Sequence, residues 1–507
     1  MASTRTTVDV IVIGFGPVGA TAALLLRQHG LTVAVIEREQ GIFPLPRAAL
    51  IDGEIARVFQ NLDILGRLGE FLEPMPGAGF RTGKGEPIGP DLVFPKGIPG
   101  PQGHPESQSF HQPVLERVLR ERAAELGVDT WLGWEAEAPE QDGRGVRMLI
   151  RPTGGGDAMV LEGSWLIAAD GAASPVREHL GIDWGSVGYD RDWLVMDIVL
   201  EDDTLRLPEV GVQVCDPERI HTFVPMCGPR RRLEFIFNPG ETREHMLRES
   251  TLWELLSRYV DPGQARIERA AAYQFHAAIS ARWREGRIFL AGDAAHQMPP
   301  FLAQGMCTGI RDAMNLSWKL ALVQQGRMPA SSLDSYQSER KPHALDTVDH
   351  AVAIGKLMDA FAAAQIDGNW PTDLSAVYGG TRSRDRLQEG ILSATPGGLR
   401  GALGPQPMLQ TPSGPVLMDE VGGTGFRLLI RDGGILEAAS PEQALIERTG
   451  ITVVQLPPHI AAASPLPDPL GGHQAILLRP DHYVFGVADS PRDIGALLIE
   501  LVGWFVD

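Results

Sequence analysis

From Val10 to Leu26 the run VIVIGFGPVGATAALLL carries no charge, but Gly14, Gly16, Pro17 and Gly19 interrupt it. Val8 to Ile13 is a short β-branched run of the kind that suits a buried parallel strand. ATAALLLRQHG then reads as a helix closed by Gly30, and LTVAVIE as the next strand. The pattern predicts strand, tight turn, helix, strand. It returns twice. WLIAADGAASPVREHLG (Trp165 to Gly181) predicts a strand, a turn at Asp170-Gly171 and a helix from about Pro175; GRIFLAGDAAHQMPPFLAQGMCTGIRDAMNLSWKLAL (Gly286 to Leu322) predicts a strand, Gly292-Asp293, a proline loop and a long helix. After Ser186, the segments DWLVMDIVL, GVQVCD, RIHTFVPM and RRLEFIFNPG alternate between turn residues, which predicts an antiparallel sheet. Residues 371–405, around YGGTRSRDR and ATPGGLRGALGPQP, read as a connector. A further unit follows, with strands at FRLLIR, ITVVQL and AILLRPDHYVFGV, a hairpin at Pro480-Asp481, and a helix with Ser490 as N-cap and Pro491 at its first position.

Composition narrows the classes. A chain of 507 residues exceeds the roughly 250–300 at which one core stops growing, so two or three domains are expected. Hydrophobic residues at 43% and charged residues at 21% are ordinary globular values. The net charge of -19 argues against a nucleic-acid footprint. The short basic run Arg230-Arg231-Arg232 reads as a solvated turn entering a strand. Cys215, Cys227 and Cys307 have neither zinc-site nor disulfide spacing, so no metal and a reducing, cytoplasmic setting are expected. The opening apolar run has the wrong form for a signal peptide or a spanning helix, because Asp9 sits at its mouth and glycines divide it.

The first turn carries the chemistry. In Gly14-x-Gly16-x-x-Gly19, the first glycine makes the tight turn, the second lets a pyrophosphate approach the backbone, and the third packs helix on strand. Pro17 opens the helix, whose free N–H groups can meet phosphate oxygens. Glu37, followed by Arg38, ends the second strand where an acid can accept hydrogen bonds from an adenosine ribose. This predicts dinucleotide binding without separating FAD from a nicotinamide nucleotide.

With the Asp170-Gly171 and Gly292-Asp293 motifs following that fingerprint in order, the sequence resembles the single-component flavoprotein aromatic hydroxylases, the p-hydroxybenzoate hydroxylase-like group. Within it, GDAAHQMPPFLAQGM, NLSWKLALVQQG and YQSERKPHA are similar to the 3-(3-hydroxyphenyl)propionate hydroxylase branch. The resemblance implies an α/β Rossmann-like FAD domain of residues 1–76, 105–185 and 281–370, and an antiparallel-sheet substrate domain of 77–104 and 186–280. It implies a linker at 371–405 and a thioredoxin-like domain at 406–507, which holds no cysteine and so no redox exchange.

The implied reaction uses non-covalent FAD, NADH or NADPH, and O₂ to hydroxylate a phenolic ring through a flavin hydroperoxide, in a monomer or homodimer. Asp293 would hold the ribityl chain and Pro300 would also contact the cofactor, with Gly305 and Met306 beside the pyrimidine edge. Arg47 would reach the phosphate or ribityl side, Gln112 the adenosine half and Asp170 the pyrophosphate region. Many relatives have Asn where Cys307 stands, so a side-chain contact there is lost and a buried small hydrophobe is expected. His296 is read as ordering its loop. Tyr189, His221, Phe223, Phe235, Phe237 and Pro299 are substrate-pocket candidates, although strand aromatics usually pack in a core. No catalytic base is assigned. A flavin-binding sensor without turnover, or an oxidase or dehydrogenase on the same fold, remains open; the Trp-x-Trp-x-x-Pro stretch of flavin halogenases is absent.

Overall fold

The computed structural model describes residues 5–45, 47–378, 386–431, 441–456 and 468–506. Residues 379–385, inside the expected connector, lie outside the described residues.

The predicted first unit forms as strand Arg5–Ile13, helix Pro17–Gln28 and strand Val33–Glu37. Arg5–Ile13 runs parallel to Val33–Glu37 on one side and to Met159–Ala168 on the other. Asp129–Leu132 and Ile288–Leu290 extend the parallel set, while Val146–Pro152 turns the far side antiparallel. Val10, Ile11 and Val12 are fully buried, as are Leu24 and Leu26 of the helix above them. Each such side chain contributes about 1.5–3 kcal/mol by leaving water, which explains the near-continuous apolar run.

Register brings the motifs together. Ile13 pairs with both Ile36 and Ala168, and Ala168 pairs with Leu290, so four strands end at one level. The residues that follow those ends are Gly14, Glu37, Asp170 and the Gly292-Asp293 turn. A parallel sheet offers its ligand site at this carboxyl edge.

The second sheet has eight strands in the order His296–Gln297, Ala265–Ser280, Trp184–Leu200, Arg230–Ile236, His221–Pro225, Gly211–Cys215, Gly77–Thr82 and Leu92–Val93. It is antiparallel except where Gly211–Cys215 runs beside Gly77–Thr82. Strands from residues 77–93 and 184–280 thus share one sheet, joined to the Asp293 turn through His296–Gln297.

The helices Gly305–Gln324 and Ser335–Asp367 connect these layers to the C-terminal part. There Thr452–Leu456, Arg427–Arg431, Ala475–Leu478 and Val484–Ala488 form a four-stranded mixed sheet, with helices Pro441–Thr449 and Pro491–Val502. The hairpin lies where expected, with His482 at positive φ in its turn, and Ser490 caps the last helix by accepting from the Asp493 N–H. Residues 386–405 are packed in place, with Leu387, Ile391 and Leu392 buried. Among the described residues, no helix is long and apolar enough to cross a membrane.

Candidate active site

Each glycine of the first turn meets a different constraint. Gly14 has φ +95°, and a Cβ there would fall 2.3 Å from the Ala169 carbonyl oxygen. At Gly19 it would fall 2.0 Å from the Gly14 carbonyl oxygen. At Gly16 a Cβ would meet no protein atom within 4 Å, so the fold itself does not require glycine there. The open space lies over the N-terminus of Pro17–Gln28, which has no side-chain cap, and its first N–H groups are free for an anion. Glu37 steadies this loop: one carboxylate oxygen accepts from the Phe15 N–H at 2.8 Å and the other from the Glu39 N–H at 3.0 Å. Arg38 sits at the exposed rim beside Glu39.

The Gly292-Asp293 turn is pinned from below. Asp312 accepts from the Gly292 N–H at 3.1 Å, from His296 Nε2 at 2.7 Å and from Arg340 Nε at 3.0 Å. Burial opposes ionisation of Asp312, but the charges of His296 and Arg340 outweigh it and lower its pKa. His296 is buried and stacked on Trp283, so it orders the loop as expected. Asp293 borders the cavity, its side chain exposed to that space. Burial raises its pKa against the pull of His296 and Arg47. Gly305–Gln324 begins with no side-chain cap, after Ala303 at φ +53°, so its positive dipole end faces the same space. Cys307 is buried, as expected of a small hydrophobe.

A third wall comes from the helix Gln112–Glu125. Gln112 Oε1 accepts from the Arg47 and Ala48 N–H groups at 2.8 and 2.7 Å, and its amide donates to Glu116 at 2.7 Å. The residue expected to touch a ligand therefore also holds the loop that carries Arg47. Asp170 Oδ2 accepts from the Val176 N–H at 3.2 Å, while among the described residues its buried Oδ1 has no hydrogen-bond partner. One continuous cavity of about 1570 Å³ is bordered by these groups.

Residues 7–351 match the family described as the FAD binding domain. The probable NADH-specific resorcinol 4-hydroxylase of Rhodococcus jostii (strain RHA1) is 36% identical over 525 residues, covering 98% of this chain and 95% of that protein. The chain belongs to this FAD-binding family. It is a FAD-dependent hydroxylase, a monooxygenase of that family. The 3-(3-hydroxy-phenyl)propionate/3-hydroxycinnamic acid hydroxylase of Escherichia coli (strain K12) is 34% identical over 353 residues, covering 69% of this chain and 62% of that protein. The fold matches the flavin-dependent monooxygenase PieE in complex with FAD and substrate, with TM-score 0.81, 22% identity, and 98% and 99% of the two chains covered. Aklavinone-11 hydroxylase with FAD and aklavinone gives 0.80 at 23% identity, with 98% and 99% covered.

The hydroxylase cleft fits FAD by its own geometry. Gly16 leaves backbone open to a pyrophosphate, Asp170 Oδ1 lacks a partner, and two uncapped helix starts face one space. The cavity also exceeds the roughly 300–1,000 Å³ of a pocket for one small ligand, leaving room for a substrate beside the cofactor.

The second sheet roofs this cleft with the opposite face from the one its aromatics suggest. Of the expected substrate residues, Pro299 borders the cavity. Phe223, Phe235 and Phe237 instead pack with Leu194 and Leu233 in the core behind the sheet. His221 stacks on Phe235 and reaches the Tyr259 hydroxyl at 2.9 Å, and Tyr189 packs with Ala277, Val348 and Val352. The physical reason is strand parity: the larger apolar side chains go to the dry face. Their neighbours Thr222 and Glu234, with Gln213, border the hydroxylase cavity. The polar alternation of these strands carried that signal. Arg232 also departs from the solvated reading of its run, being buried and ion-paired with Asp197 at 2.7 Å.

Proposed function

We propose that this hydroxylase uses NADH to insert one oxygen atom of O₂ into a phenolic ring of the resorcinol class. The observation that carries the reading is a single cavity joining the Gly14–Gly19 turn, the Asp293 turn and a polar-lined roof. Identity of 36% across nearly the whole length of a probable NADH-specific resorcinol 4-hydroxylase supports the substrate and the reductant.

Bound FAD supplies the acceptance of hydride from NADH and the activation of O₂. The chain supplies position. Gly14, Gly16, Pro17 and Gly19 cradle the pyrophosphate on a helix start, Glu37 takes the adenosine ribose, and Gln112 and Arg38 flank the adenosine half. Arg47 and Asp170 border the phosphates. Asp293, next to Gly292, holds the ribityl hydroxyls, and Pro299 and Pro300 shape the approach to the ring. The N–H groups of Gly305 and Met306 favour negative charge on the pyrimidine edge. The roof excludes water from the reacting face.

In this reading residues 1–76, 105–185 and 281–370 form the flavin domain, 77–104 and 186–280 the substrate domain, and 371–405 a connector. Residues 406–507 form a thioredoxin-like prop without redox function. The three buried cysteine thiols suit a reducing, cytoplasmic setting, for a monomer or homodimer.

The test uses purified protein with its bound flavin. Resorcinol is expected to accelerate NADH oxidation and to yield a product one oxygen atom heavier. NADH consumption that no phenol accelerates, with no oxygenated product, would establish a flavin-binding protein without turnover.

A further inference from the structure

The ladder register of the roof places three polar side chains in one row. Phe80 pairs with Gln213, Gln213 with Thr222, Thr222 with Glu234, and Glu234 with Val195. Phe80, Gln213, Thr222 and Glu234 all border the cavity. On the same strands, Val212, Val214, Phe223, Leu233 and Phe235 face the core behind, so the row is the cavity face by strand parity.

Within the row the hydrogen-bonding capacity is unevenly used. The Thr222 hydroxyl donates to Gln213 Oε1 at 2.5 Å, which turns the Gln213 amide so that its NH₂ is the end left to act. Glu234 is 6% exposed, and among the described residues no donor serves its carboxylate. The nearby cation Arg232 is committed to Asp197 through Nε at 2.7 Å and a second nitrogen at 3.1 Å, and Arg269 also reaches Asp197, at 3.3 Å. The wall therefore presents one unserved acceptor and one donor, with its positive charges already paired. A buried carboxylate left so would incur a desolvation penalty, which a ligand hydroxyl can relieve.

We propose that Glu234 accepts a hydrogen bond from a ring hydroxyl of the substrate while the Gln213 amide donates to a second ring oxygen, so that this row selects a neutral ring bearing two hydroxyls. This rests on the hydroxylase reading above. A hydroxyl hydrogen drawn toward a carboxylate leaves more electron density on the ring carbons beside and opposite it, the positions an electrophilic oxygen attacks. A ring carrying its own carboxylate meets repulsion at Glu234, and on this wall Arg232 and Arg269 are already engaged by Asp197. Burial pushes the Glu234 carboxyl upward, with Arg232 and Arg269 pulling down and Asp197 pushing up, which moves it toward the phenol range and strengthens such a bond.

The experiment compares FAD-loaded wild type with Glu234→Gln, Glu234→Asp and Gln213→Leu, using resorcinol and 3-hydroxybenzoate as probes. Kcat/KM is read from NADH oxidation and product mass, and substrate binding from the change in flavin absorbance. Glu234→Gln is expected to lower kcat/KM for resorcinol by about ten- to a hundred-fold, to narrow the preference for resorcinol over 3-hydroxybenzoate, and to be partly rescued in Glu234→Asp. Unchanged kcat/KM and unchanged preference would overturn the proposal while the hydroxylase reading stands. Failure of wild type to oxygenate any phenol would overturn that reading instead. Should Glu234→Gln not hold FAD, Gln213→Leu decides: a loss of about tenfold or more in resorcinol kcat/KM supports the row, and an unchanged value overturns it.

Discussion

Arg479 sets its two terminal nitrogens on the two carboxylate oxygens of Glu339, at 3.0 and 2.6 Å, with both side chains withdrawn from solvent. Glu339 lies on the long helix behind the flavin cleft, and Arg479 begins the C-terminal hairpin turn. Asn315 and Lys319, on the helix that starts at Gly305, donate to the same carboxylate at 2.6 and 2.8 Å. A second buried centre repeats the theme, with Arg57 and Arg427 both held by Asp419. The C-terminal part is thus clamped onto the helices that build the cofactor site, by charges that would be costly to leave unpaired.

Removing one partner of that clamp is expected to cost about 3–5 kcal/mol. Glu339→Gln should shift the midpoint of urea denaturation accordingly, and a loss below about 1 kcal/mol would show the pair to be incidental. The pH dependence follows the same carboxylate. Burial works against its ionisation, but the charges of Arg479 and Lys319 outweigh burial and bring Glu339 down to about 2. Its folded-state pKa lies below its unfolded one, so its contribution is present above about 4.5 and is lost as pH falls toward 2.

The three glycines of the first turn should separate folding from cofactor binding. Gly14→Ala and Gly19→Ala drive a methyl into backbone oxygen, and Gly14 also needs its positive φ, so both should lower the melting temperature of the flavin-free protein. Gly16→Ala meets no protein atom. It should fold like wild type yet bind FAD about tenfold more weakly or worse, since overpacking a close contact costs about 1–3 kcal/mol. Wild-type FAD affinity in Gly16→Ala, by flavin fluorescence titration, would remove the pyrophosphate from this loop.

How much of this was legible along the chain depends on range. The turns at Gly14, Asp170 and Gly292 were readable because each is a local strand-to-helix junction, and parallel register then brings them to one edge without further instruction. The roof was readable as strands, but not which face they turn to the cleft. Phe223 and Phe235 attract attention as aromatic, and for that same reason they go to the dry side, while Thr222 and Glu234 take the other. The row from Gln213 to Glu234 exists only through pairing between strands. The clamp was not legible at all: Glu339 and Arg479 stand 140 residues apart, and no periodic pattern marks either as the other's partner.

Several histidines are kept neutral by the fold. Burial lowers His29, His104 and His221 to about 4, and His482 also moves down, in each case with desolvation as the largest cause. Between pH 6.5 and 4 the unfolded chain therefore binds more protons than the folded one, so stability should fall as pH falls through that window. Melting temperature against pH checks this. His221→Gln should flatten the slope between those values, and a slope identical to wild type would mean that His221 charges freely in the folded protein.

Asp293 should behave in the opposite sense from a structural carboxylate. Its folded pKa is raised by burial in the flavin-free protein, so its contribution to stability is fully present below the unfolded carboxyl pKa and is lost as pH rises through the raised one. Asp293→Asn should accordingly melt at the same or a higher temperature than wild type when both lack FAD. It should also bind FAD about ten- to a hundred-fold more weakly, the scale of a lost hydrogen bond to a charged group. This pairing of a sturdier apoprotein with a weaker holoprotein is what a residue placed for the cofactor predicts. A lower melting temperature with FAD affinity intact would make Asp293 a helper of the turn and leave the ribityl chain without its acid.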